Sequence, residues 1–161
     1  GVLINTAGFL QTQAEATGQE STSQVSDRVQ VVSQSGNVTA TPDVDEINFV
    51  LAKAPGAGNV DLSETTIEII GEQGQNSTQI GDLESGGAQN IIGVNNQVLT
   101  DSSDRASVTI NFSDPGDFAD YNQLSSGERM SVTFTTPSGA TTTTEIRIPT
   151  TLTEEQDSVR L

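Results

Sequence analysis

The chain of 161 residues contains no cysteine and no histidine. Disulfides, thiolate nucleophiles, zinc centres of the usual kind and imidazole acid–base catalysis are therefore excluded within it. Tryptophan is absent, tyrosine and methionine occur once each, and phenylalanine five times. So few aromatics leave little on which a sugar or a base could stack. Cations are scarce as well: Lys53 stands beside five arginines, against 22 acidic residues, for a formal charge of −16. Long hydrophobic runs are missing too. The apolar opening Val2, Leu3, Ile4, Ala7, Phe9 and Leu10 is far shorter than the roughly 20 residues that span a bilayer, so the sequence shown holds no complete signal peptide or membrane span.

What is present begins with that acidity. It is spread along the chain instead of gathered in a tail, so it belongs to the whole surface. In dilute salt such a surface repels itself and loosens the compact state. At about 1 M salt the Debye length falls to about 3 Å and the repulsion is screened. The composition thus points to a protein that works in brine. Nucleic acid and anionic membranes would present the wrong sign of charge, and neither is expected as a partner.

The apolar start runs without proline into a polar tract rich in Ala, Gln and Glu, as far as about Ser26. Only Gly8 and Gly18 oppose a helix there. Leu3, Ala7, Leu10 and Ala14 draw a narrow apolar seam at three-four spacing. Beyond Ala14 the helix would be polar all round, which requires neighbours or a bridge to another domain. The pattern predicts the end of a hydrophobic helix whose earlier part lies upstream.

Near Val29–Val32 the period changes from helical to two. Ile47, Phe49 and Leu51; Ile67 and Ile69; Val108, Ile110 and Phe112; Met130, Val132 and Phe134; and Ile146 and Ile148 each alternate with polar or neutral residues. This is the mark of half-buried antiparallel strands. Turn clusters separate them: Gly36-Asn37, Thr41-Pro42-Asp43, Pro55-Gly56-Ala57-Gly58, Pro115-Gly116 and Pro137-Ser138-Gly139-Ala140, the last placed to close a hairpin. Between Glu72 and Asp104, long surface loops are expected, with Ile91 and Ile92 as a weak strand. The fold class expected is mainly β: an N-terminal helix over residues 1–27, then an antiparallel β-sandwich or barrel over 28–161.

Residues Gly1 to Val32 closely resemble the N-terminal region of haloarchaeal archaellins, the archaeal flagellins, through GVLINTAGFLQ, ATGQEST and QVSDRVQVV. The remainder is similar only in general character, being acidic, threonine-rich and strand-rich. Members of that family begin with a cleaved basic leader and a further apolar stretch, which this sequence does not contain. The resemblance implies a type IV pilin-like helix bundled in a filament core and a β-domain outside it. It also implies polymerisation into the archaellum for swimming, in a helical filament of identical or closely related subunits on the cell surface. Membrane contact would come only through the missing part of the helix, during assembly. Val2, Leu3, Ile4, Ala7, Phe9, Leu10 and Ala14 would then pack in the core. An adhesive pilin on the same plan, or a secreted halophilic binding module, are the alternatives.

Three sequons occur, at Asn37, Asn76 and Asn111, and an extracellular chain can carry N-glycans there. Asn37 follows Gly36 in an expected turn, Asn76 lies in an expected polar loop, and Asn111 alternates with Ile110 and Phe112 and so is aimed outward. The resemblance adds that haloarchaeal archaellins are typically glycosylated. The run Ser113–Asp120 holds three carboxylates that could in principle bind calcium or sodium, but it lacks the twelve-residue loop pattern and is read as a solvated turn. Asp101 with Asp104, and Asp43 with Asp45 and Glu46, are read the same way. No carboxylate pair stands out as a glycosidase site, no Gly-X-Ser-X-Gly elbow exists, and the glycine clusters lack the lysine of a phosphate loop. No catalytic residue, metal or cofactor is expected.

Overall fold

The computed structural model describes residues 27–40, 43–84, 87–113, 117–118, 121–152 and 158–161. The expected N-terminal helix, with Val2, Leu3, Ile4, Ala7, Phe9, Leu10 and Ala14, lies outside the described residues. So do the Thr41-Pro42 and Pro115-Gly116 turns.

Eleven strands are described: β1 (Val29–Val38), β2 (Val44–Lys53), β3 (Val60–Asp61), β4 (Thr66–Gly71), β5 (Gly74–Gln79), β6 (Gln89–Ile92), β7 (Val98–Leu99), β8 (Arg105–Asn111), β9 (Arg129–Thr135), β10 (Thr141–Arg147) and β11 (Ser158–Arg160). They form a five-stranded sheet in the order β11-β1-β2-β8-β6 and a four-stranded sheet in the order β10-β9-β4-β5, with β3-β7 as a small ribbon. Every pairing between named strands is antiparallel.

The two large sheets share one core. Ile47, Phe49 and Leu51 of β2, Val108 and Ile110 of β8, Ile67 and Ile69 of β4, and Val132 and Phe134 of β9 are all fully buried in a single cluster. Phe49 and Phe134 meet edge to face between the sheets, ring centroids 5.3 Å apart. The period-two alternation explains this directly: each strand turns alternate side chains to the shared interior and the rest to solvent. Burying each such aliphatic or aromatic side chain contributes about 1.5–3 kcal/mol. The Pro137–Ala140 turn closes the β9–β10 hairpin as expected, with Gly139 at φ +90°, a left-handed conformation that suits glycine.

Three expectations are corrected. Gly36-Asn37 is no turn but the interior of β1, paired with both β2 and β11. Glycine serves there because a Cβ would lie 2.9 Å from Val44 Cγ1 and 3.1 Å from Leu161 Cδ1. Asn76 sits in a strand, β5, instead of a loop. The segment 72–104 is likewise more ordered than long loops: it carries β5, β6 and β7, and buries Ile80 and Leu99 completely. Its polar β5 is a ladder partner of β4 over six residue pairs, so backbone bonds hold it without an apolar stripe. Ile91 and Ile92 do lie on a strand, β6.

Candidate functional site

The point where the N-terminal tract joins the β-domain is tied down by hydrogen bonds more than by apolar packing. Three consecutive residues receive five of them. The Asp27 carbonyl accepts from the Thr136 hydroxyl at 2.8 Å and the Ser138 hydroxyl at 3.4 Å. The Asp27 carboxylate accepts the Gly58 amide at 2.7 Å. The Arg28 carbonyl accepts the Ala54 amide at 3.1 Å, and the Val29 carbonyl accepts the Thr142 hydroxyl at 2.6 Å. Val29 itself is buried. The donors come from two places: the loop after β2, which belongs to the five-stranded sheet, and the β9–β10 hairpin of the other sheet. Residues 27–29 are thus fixed to both sheets at once. An open groove of about 520 Å³ runs beside them, lined by Arg28, Gln30, Pro55 and the threonines 141–144, and among the described residues no carboxylate lines it.

The three sequon asparagines fall on two sheets. Asn37 is exposed on β1, and its amide donates to the Asp45 carboxylate at 3.0 Å. Asn111 ends β8, and its side-chain oxygen accepts the Ser113 amide at 2.8 Å and the Ser113 hydroxyl of its own sequon. Register puts both in one row, with Glu46 of β2 between them. Asn76 lies on β5, the terminal strand of the other sheet, where its oxygen accepts the Ser77 amide.

The acidic residues act as loop staples. The Asp104 carboxylate accepts the Thr100 amide at 2.8 Å, the Asp101 amide at 2.9 Å and the Thr100 hydroxyl at 3.1 Å. Those donors, the Asp101 amide foremost, hold it below the usual carboxylate range. Asp101 is lowered in turn, chiefly by the Ser103 amide. Asp117 accepts the Glu84 amide at 2.6 Å and the Asn111 amide at 2.7 Å. Asp43 and Asp45 have local roles: the Asp43 carbonyl accepts the Thr39 amide, and Asp45 holds Asn37. Asp114 and Asp120 lie outside the described residues. Among the described residues, no buried side-chain polar atom lacks a hydrogen-bond partner, so nothing there waits for a ligand to satisfy it. What the arrangement supports is mechanical: a β-domain held through its leading residues.

Known proteins give this geometry its context. A model of the archaeal-type flagellin family matches residues 1–146. Flagellin B1 of Natrialba magadii is 49% identical over 170 residues, covering 100% of this chain and 84% of its own. Flagellin B2 of Halobacterium salinarum is 36% identical, covering 100% and 83%. Among solved structures, the archaeal flagellin FlaB1 of Methanocaldococcus jannaschii matches with a TM-score of 0.66 at 14% identity, covering 82% of this chain and 94% of that one. The archaeal flagellum of Methanospirillum hungatei matches with a TM-score of 0.65 at 14% identity, covering 93% and 82%.

Proposed function

The chain belongs to the archaeal-type flagellin family, and on that premise we propose how its parts divide the work of a filament. It is a structural subunit of the archaellum, the cell-surface filament of archaeal swimming, and not an enzyme. The observation that carries this is the extent of the family match, which runs from the first residue through the apolar tract and most of the β-domain.

In the division proposed, residues 1–27 form the helix that packs in the filament core, through Val2, Leu3, Ile4, Ala7, Phe9, Leu10 and Ala14. Residues 28–161 form the outer domain. Burying aliphatic side chains at about 1.5–3 kcal/mol each supports an assembly without covalent links, and repeated head-to-tail contacts that do not close give an open helix. The subunits are identical or closely related chains, and membrane contact is made only through the N-terminal helix, during assembly. Asn37, Asn76 and Asn111 carry N-glycans on the exterior. The exposure of Asn37 and its place in one row with Asn111 support glycans along one face of the five-stranded sheet.

Deleting residues 1–26 from the chromosomal gene tests the division. Swimming and filaments in electron micrographs should both be lost while the β-domain is still secreted. Filaments of normal number would overturn the core assignment. Asn→Gln variants at each sequon, followed by glycopeptide mass spectrometry, identify the modified sites.

A further inference from the structure

Four large aliphatic side chains are exposed among the described residues: Val32, Ile70, Ile91 and Ile92. The first two lie on β1 and β4, each inside its sheet. The other two are consecutive and lie on β6, the terminal strand of the five-stranded sheet, at 50% and 55% exposure. In a regular strand one of two consecutive side chains would turn inward. Here all four residues of β6 are exposed, and the register slips between Asn90 and Ile92.

The same strand is free of charge. On a chain of net −16, no charged residue occurs from residue 85 to residue 100. Natural sheet edges are usually blunted by lysine, proline or charge, and β6 has none. Arg105, opposite Ile92, is drawn back onto the carbonyls of Ser102 and Asp104 at 2.9 and 2.8 Å, and the Asp104 carboxylate beside Gly93 is taken up by the Thr100 and Asp101 amides. The segment is also well held. Asn90 accepts the Val94 amide, Gln97 accepts the Ala88 amide and, through its carbonyl, the Leu62 amide, and Asn96 and Gln97 both take left-handed φ in a tight turn. A neutral, apolar and rigid edge on an otherwise acidic molecule is where a second molecule of the same charge can approach closely.

We infer that β6, through Ile91 and Ile92, is a contact between the outer domain and a second copy of this chain in the filament. The inference rests on the filament reading, which surrounds each subunit with copies of itself. The contact is heterologous, as an open helix requires, and being apolar it persists in the salt that screens the acidic surface.

The absence of cysteine provides the test, because Ile91→Cys and Ile92→Cys each introduce a single thiol. In intact filaments, maleimide labelling of both should be slower than in dissociated subunits by about tenfold or more, as for a side chain reached only through local opening. In parent filaments, exchange of the Ile91 and Ile92 amides should slow likewise, which decides the matter if a thiol variant fails to assemble. Equal labelling and exchange in filaments and in dissociated subunits overturns the inference and leaves the filament reading standing. Protection already complete in dissociated subunits also overturns it, assigning β6 to a contact within one chain. If the parent chain makes no filaments at all, it is the filament reading beneath the inference that falls.

Discussion

The centre of the β-domain and the place where the chain joins it are held by different physics. At the centre, Phe49 meets Phe134 and the aliphatics of four strands close around them. At the junction, three residues are gripped by hydroxyls and amides from both sheets. Apolar packing is nondirectional and determines whether the domain folds. Hydrogen bonds are directional, and they fix the orientation of residues 27–29 against both sheets.

The largest effect should come from the centre. Phe134→Ala should cost about 3–5 kcal/mol by opening a cavity between the sheets, visible as a lowered denaturant midpoint in high salt. Gly36→Ala, which drives a methyl toward Val44 and Leu161, should cost about 1–3 kcal/mol by overpacking. The junction should respond differently. Thr136→Val and Thr142→Val should each cost only about 0.5–1.5 kcal/mol, yet together impair swimming while filaments still form. Normal motility in that double variant would show that the grip does not set the joint. The smallest effect concerns pH. Asp104 is lowered from the ordinary 3.8 in the folded state, so its contribution is present above that value and lost as pH falls through the folded one. Stability should therefore be flat in this group through neutrality and decline in acid. Asp104→Asn should lower the urea midpoint at neutral pH and narrow the gap to the parent in acid.

The strands that build the centre were legible because their signal is local. Alternation at Ile47–Leu51, Ile67–Ile69, Val108–Phe112 and Met130–Phe134 names both the strand and its inner face. The rest depended on residues far apart in sequence. Strand β5 has no apolar residue to announce it and exists through its ladder with β4. Leu62, Ile80 and Leu99 belong to no sustained apolar alternation, and only the fold reveals that they are fully buried. Gly36 looks like a turn and is a close approach. The start of β1 near Val29 could be read from the change of period. Its grip could not, because Thr136 and Thr142 lie more than 100 residues away. The sequons were legible as a motif, but the shared row of Asn37 and Asn111 was not.

Residues 27–29 also decide where load enters the domain. Strand β1 is flanked by β2 and β11 and is tied at its first residues to the β9–β10 hairpin. β11 covers β1 only at Ser35–Asn37, so at its first residues the ties to the hairpin and to the loop after β2 take the place of a second strand, and a pull through Asp27 strains both sheets together. A load entering a filament subunit through Asp27 would therefore be divided among bonds of two sheets instead of falling on one strand.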